Sequence, residues 1–219
     1  MGEYRFSRFS LWPLFVSRFI PCLFALLMMV CWPTRSVGAS QEGSESALAV
    51  VKATLSGVFA ILDNSKLQES EKRRRIEEIV ATRFDYREMS KRTLASHWRG
   101  LTDPEQTKFV ESFKVFLSDR YAGKIGDYAG EKVEYLGERM EGDYAEIRTK
   151  LVSSKTNYPL DYRLIKKEGK WYAYDLVVDG VSLVKNYRSQ FDRIIRADSY
   201  DELVRRMTNR TLAEEQKAK

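Results

Sequence analysis

The 219-residue chain predicts an α+β fold, an about four-stranded curved antiparallel sheet packed against a layer of helices with an apolar cavity between them. Two observations carry this. The hydrophobic period is about 3.6 residues early in the chain, two in the middle and 3.6 again near the end. The stretch Leu160 to Phe191 holds the second switch: Leu160, Tyr162 and Leu164 alternate with polar neighbours, Lys167-Glu168-Gly169 breaks the run, and Trp171 to Val178 resumes it with aromatic and β-branched residues. Two strands and a turn follow. A three-residue loop with Gly169 in the left-handed position puts Leu160, Tyr162 and Leu164 on one face with Tyr172, Tyr174 and Leu176. After Asp179-Gly180, Leu183, Tyr187, Phe191 and Ile194 recur along one side of a helix that can fold back across the hairpin.

In chain order, residues 1–39 read as a secretory signal peptide. Arg5, Arg8 and Arg18 precede an apolar run from Phe19 to Val30, too short for a resident membrane helix, and Val37-x-Ala39 offers small residues for cleavage after Ala39. Residues 40–46 are polar and predict a flexible N-terminus, 47–213 a single domain, and 214–219 a charged tail. Leu48, Val51, Leu55, Val58, Phe59 and Leu62 give a first helix from Ala47 to Leu62. A second runs from about Glu71 to Thr82 with Ile76, Ile79 and Val80 inward. Asp85 and Glu88 form an acidic capping box for a third, with Phe84 placed to staple onto Met89, and Met89, Leu94 and Trp98 along one side until Gly100 ends it. Thr102-Asp103-Pro104-Glu105 starts a fourth, to about Ile125, with the stripe Phe109, Phe113, Phe116, Leu117 and Tyr121. Such a stripe is more often ordinary core than a ligand wall.

Strands are predicted from Lys132 to Glu138 and Tyr144 to Ser153, separated by the turn Met140-Glu141-Gly142-Asp143, with Val133 and Tyr135 on one face of the first and Ile147, Thr149 and Leu151 on one face of the second. With the Leu160 hairpin this makes four consecutive antiparallel strands. The last helix opens on Ser199-Tyr200-Asp201-Glu202, another capping box, with Leu203, Val204 and Met207 inward.

Composition excludes several chemistries. Both cysteines, Cys22 and Cys31, precede the cut, so the mature chain has neither disulfide nor thiol. With His97 the only histidine, no zinc site or Cys-His pair can be assembled, and no nucleotide or nucleophile-elbow motif is present. Four of the 37 Lys+Arg and one of the 31 Asp+Glu lie before the cut, leaving 33 against 30, or +3. Interspersed charge and export argue against nucleic acid. Lys72-Arg73-Arg74-Arg75 reads as a solvated helix face that could touch anionic headgroups. His97 reads as a local hydrogen-bonding or capping residue at a helix end. Asp175 lies diagonal to Arg163 in the register above, which makes an ion pair on the outer sheet face. No metal and no cofactor is expected.

The mature chain keeps six Phe, eleven Tyr and two Trp, and few polar groups converge on them. A cavity between sheet and helices would suit a ligand with an apolar body and a polar head. Two blocks carry a resemblance. WYAYDLVVDGVSLVKNYRSQF places Trp171, Tyr174, Asp175, Gly180, Ser182, Leu183, Tyr187, Arg188 and Phe191 at the spacing of the signature of the toluene-tolerance family, the periplasmic phospholipid carriers of the Mla lipid-transport pathway. FDYREMSKRTLASHWRGLTDPEQTKFVESFKVFL, from Phe84 to Leu117, is similar to that family's other recognisable run.

The resemblance implies that acyl chains are held between sheet and helices, with the headgroup near solvent. On that reading the wall comprises Phe84, Met89, Leu94, Trp98, Phe113, Leu117, Tyr121, Val133, Tyr135, Ile147, Tyr162, Leu164, Tyr174, Leu176 and Tyr187. It also implies a monomer that shuttles phospholipid between an outer-membrane lipoprotein-porin complex and an inner-membrane ABC transporter complex, maintaining outer-membrane lipid asymmetry. Alternative readings are a hydrolase or isomerase of a cone-shaped α+β fold using Asp175, a hopanoid-associated carrier, and a periplasmic chaperone or adaptor.

Overall fold

A computed structural model describes residues 45–126, 130–153 and 157–209; the signal-peptide, cleavage-site and charged-tail expectations lie outside the described residues. Six α-helices and five strands are present among the described residues, with the strands in one antiparallel sheet of order β1-β2-β3-β4-β5. The α+β class is as predicted.

Helix α1, Ala47–Leu62, starts where the Ser46 side chain accepts a hydrogen bond from the Ala49 N–H at 3.1 Å. Its Ala47, Val50 and Val51 are buried in one cluster with Ala145, Ile147, Tyr162, Leu164, Trp171 and Ala173 of the sheet. Gly57 brings α1 close to α2, Glu69–Arg83: a Cβ there would lie 3.2 Å from Ile79 Cδ1. No residue of α2 is fully buried, and Ile76, Ile79 and Val80 are only half-buried.

Asp85 caps α3, Tyr86–Leu94, accepting from the Glu88 N–H at 2.8 Å as its spacing predicted. The helix does not run to Gly100. Ala95 adopts φ 50°, and a 3-10 segment, Ala95–Gly100, takes over and carries Trp98 into the core. Helix α4, Asp103–Gly126, opens with the Glu105 carboxylate accepting from the Thr102 N–H at 2.8 Å.

The strands are β1 (Lys132–Glu141), β2 (Tyr144–Val152), β3 (Asn157–Lys167) and β4 (Lys170–Val178). The β3–β4 loop has two residues, not three: Lys167 pairs with Lys170, and Glu168 and Gly169 both take positive φ, 50° and 77°. That two-residue geometry matches the twist of the flanking strands. A bulge then inserts Tyr174 between the pairs Arg163–Asp175 and Leu164–Ala173. Tyr162 therefore faces Leu176 and Leu164 faces Ala173, so Leu176 shares a face with Tyr162 as predicted, whereas neither Tyr172 nor Tyr174 does. A second two-residue turn, Asp179-Gly180, adds a short fifth strand, β5 (Val181–Ser182), where the change of period predicts a helix start.

Helices α5, Leu183–Ala197, and α6, Tyr200–Thr208, return over the molecule; Ser182 and Ser199 cap them by accepting from Lys185 and Glu202 N–H. Leu183, Tyr187, Phe191 and Ile194 are buried as their spacing predicted, in a cluster with Phe109, Phe113, Phe116 and Leu203. Phe113 and Phe116 meet Tyr187 edge-on at 5.7 and 5.4 Å between ring centres, an arrangement that adds about 0.5–1.5 kcal/mol per pair to area burial.

Candidate functional site

The half-buried state of α2 has a structural cause: its inner side faces a cavity of about 440 Å³ shared with α4 and β4. Ile76 and Val80 of α2, Phe84 and Met89, Val115, Leu117 and Tyr121 of α4, and Leu176, Val178 and Leu183 supply the apolar wall. Phe84 is held in place by the backbone, because the Asp85 N–H next to it donates to the Ala173 carbonyl at 2.9 Å and Phe84 bridges Ala173. Val115 is 59% exposed and Tyr121 43%, so the α4 side of the cavity opens to solvent.

One rim is charged. Arg73 links α2 to α4, donating to Glu77 at 2.7 Å and to Asp119 at 2.8 Å, and the Ser118 hydroxyl donates to Glu77. Burial raises the Glu77 carboxyl, but the hydrogen bonds from Ser118 and Arg73 outweigh it and hold the group below the usual carboxylate range. The hydrogen bonds to Glu77 and then to Asp119 push the Arg73 guanidinium higher. Burial, with Glu77 nearby, raises the Tyr86 phenol to about 12, so it stays a neutral donor at the rim. Lys114 lies 6.0 Å from the Tyr86 ring centre. Arg73 is thus more than part of a solvated face, whereas Arg74 and Arg75 pair along the helix with Glu71 as expected.

Of the sequence-predicted wall, the cavity gathers Phe84, Met89, Leu117, Tyr121 and Leu176. The other members lie elsewhere. Leu94, Trp98, Phe113 and Tyr187 are buried in the helical core and do not line this cavity. Ile147, Tyr162 and Leu164 are covered by α1. Val133 and Tyr135 belong to the exposed first strand, with Lys52 5.0 Å from the Tyr135 ring centre. Tyr174 lies off the expected face and has Arg92 stacked over its ring at 4.1 Å. Ile76 and Val80, expected only to point inward, also line it, as do Tyr86, Val115, Val178 and Leu183, which are not in the expected wall. The charge-rich sequence of α2, with its narrow apolar face, was the available signal for a helix that stands off the core.

Asp175 is buried, not on an outer face. It is directly opposite Arg163 and bonded to it at 3.2 Å, while accepting from the Ser182 hydroxyl at 2.6 Å and the Val184 N–H at 3.0 Å. Its oxygens thereby tie β4 to the start of α5, where the helix dipole also favours a carboxylate. His97 does not bond locally; its Nε2 lies 2.9 Å from Asp192 Oδ1 on α5. No group of three or more His, Cys, Asp or Glu among the described residues could hold a metal ion.

An antiparallel sheet with helices around an open cavity, apolar in its wall and charged at its rim, defines an α+β binding domain. The chain belongs to the MlaC family: the family model described as MlaC protein matches residues 52–209, and the two sequence blocks that carried the resemblance fall within that range. The chain is 24% identical over 122 residues to the intermembrane phospholipid transport system binding protein MlaC of Haemophilus influenzae, covering 53% of this chain and 57% of that one. It is 24% identical over 105 residues to the toluene tolerance protein ttg2D of Pseudomonas putida, covering 47% and 49%. The chain therefore spans about half the length of the curated relatives it matches. A phospholipid-binding protein of Ralstonia solanacearum, solved in complex with a phospholipid, shares the fold with a TM-score of 0.69 at 23% identity, over 80% of this chain and 99% of that one.

Proposed function

We propose that this protein is a phospholipid carrier that holds acyl chains in the cavity between α2, α4 and β4. The observation that carries the reading is the cavity itself: about 440 Å³, walled by Ile76, Val80, Phe84, Met89, Leu117 and Leu176, with Arg73 and Lys114 at its rim. That volume lies within the roughly 300–1,000 Å³ of ligand pockets. Membership of the MlaC family and the phospholipid held by the Ralstonia protein support the choice of ligand.

The thermodynamics favour a carrier. Two acyl chains hold roughly 30 methylenes at about 0.8 kcal/mol each, so passage through water costs on the order of 20 kcal/mol. A fully dry pocket would then bind near the practical ceiling of affinity, so release is assisted by docking on membrane complexes. In this proposal the chain is exported by a signal peptide cut after Ala39 and works in the periplasm as a monomer. It exchanges lipid with an outer-membrane lipoprotein-porin complex and an inner-membrane ABC transporter complex, and so maintains lipid asymmetry. Asp175 serves architecture, since its oxygens are occupied by Ser182, Val184 and Arg163.

The test is extraction. Protein purified from a bacterial periplasm without added lipid should release about one diacyl phospholipid per chain on denaturation, because an apolar cavity is costly to leave filled with water. A chain that emerges empty and takes up no lipid from vesicles defeats the proposal.

A further inference from the structure

A second concavity lies apart from the acyl cavity and shares no wall residue with it. It is a hollow of about 490 Å³ where the end of α3, the 3-10 segment and α5 meet. Lys91, Arg92, Arg99 and Arg188 border it, against one carboxylate, Glu88. That carboxylate is already engaged by Arg92 at 2.8 Å and Lys167 at 3.4 Å. Arg188 is oriented by donating to the Arg92 carbonyl at 2.8 Å, and Arg92 is fixed over the Tyr174 ring. Lys91 and Arg99 are exposed, and their side chains make no ion pair among the described residues. An unbalanced cationic hollow with two anchored and two uncommitted cations is organised for an anion.

Ala95, at the floor of this hollow, gives an independent sign. It is a non-glycine residue at φ 50°, a strained conformation that folded proteins concentrate at functional sites. The bend it makes brings Lys91 of α3 and Arg99 of the 3-10 segment to the same rim. Tyr144, 43% exposed beside the hollow, is an amphipathic side chain of the kind that sits at membrane–water interfaces.

We propose that this hollow seats the phosphate of a lipid headgroup at the surface of an anionic bilayer, so that the protein docks on a membrane through the α3–α5 face. This goes beyond cargo binding and does not require that the acyl cavity be filled. Binding of the full mature chain to vesicles of phosphatidylethanolamine and phosphatidylglycerol is compared with that of two variants of equal charge loss. One is Lys91→Gln/Arg99→Gln, and the other Lys108→Gln/Lys170→Gln, which removes exposed cations elsewhere. Each cation at a membrane surface contributes about fivefold, so the first variant should bind about 25-fold more weakly and the second nearly as the parent. Binding should also fall steeply with added salt, and extracted cargo lipid should be the same in all three. Equal weakening of both variants, or no vesicle binding by the parent, overturns the proposal. So does binding of millimolar inorganic phosphate by a parent chain that does not bind vesicles, which would mark a small-anion site. Binding to immobilised polyglutamate but not to vesicles would assign the hollow to an acidic protein instead. Unequal cargo content would point to the acyl cavity and not to docking.

Discussion

At the scale of single residues, Asp175 is the most constrained polar group in the described structure. Its carboxylate is buried and accepts from a hydroxyl, a backbone N–H and a guanidinium, whereas its partner Arg163 keeps 38% of its side chain in solvent and also reaches Glu146 at 3.0 Å. The two ends of this ion pair therefore differ in worth. Asp175→Asn should destabilise by about 3 kcal/mol, because it removes charge-assisted hydrogen bonds in a buried place. Arg163→Gln should cost less, because the Ser182 hydroxyl and the Val184 N–H still bond the carboxylate and the guanidinium is partly solvated. Urea midpoints measure both, and equal costs would contradict the asymmetry. Retention of bound lipid by folded Asp175→Asn protein is the accompanying expectation.

At the scale of elements, α2 and α4 divide the molecule into wall and core. Walls tolerate filling, whereas a packed core does not. Ile76→Trp or Val80→Trp should lower the lipid recovered per folded chain while changing the melting temperature little. Phe113→Ala should do the reverse, costing about 3–5 kcal/mol as buried aromatic truncations do, with lipid content per folded chain kept. Unfolding of the α2 variants would show that side to be core. Because α2 buries no residue fully, its amides should exchange faster than those of α5, and slow when lipid is added back to stripped protein.

For the whole molecule, apolar burial and surface charge respond differently to solution conditions. Cargo lipid should survive washing in high salt, since acyl burial is not screened, while contacts of exposed cations are. Loss of cargo in salt would place the binding energy in the headgroup. Acid acts through surface carboxylates. Hydrogen bonds from Arg74 and Arg75 hold Glu71 down to about 2, and those from Arg205 and Arg206 do the same for Glu202. A carboxyl lowered in the folded state supports the fold above its ordinary value of 4.5 and loses that support as pH falls toward 2. Carboxyl NMR titration of Glu202 should therefore show a midpoint near 2, and α2 and α6 should loosen only within that window. A midpoint near 4.5 would remove these pairs from the account of acid sensitivity.

What the sequence determined by itself was whatever is decided within a few residues. Asp85 capping Glu88 N–H and Ser199 capping Glu202 N–H are bonds of three-residue span, and the change of period at Asp179-Gly180 is likewise local. The stripe Leu183, Tyr187, Phe191 and Ile194 named a buried face correctly, because spacing alone defines a helix side. Spacing does not say what that side meets. Phe113 and Leu117 belong to one helical stripe, yet Phe113 is locked among Tyr187 and Phe191 while Leu117 borders the cavity, a difference set by where α2 stands. The two-residue loop at Glu168-Gly169 undid the inferred face of β4, since a register shift of one residue moves Tyr172 and Tyr174 to the other side, and the bulge at Tyr174 then returns Leu176 to it. His97 found Asp192 at a sequence distance of 95, and Asp175 was buried by the helix that follows it. These outcomes rest on contacts between elements distant in the chain, and only the assembled tertiary structure brings those surfaces together.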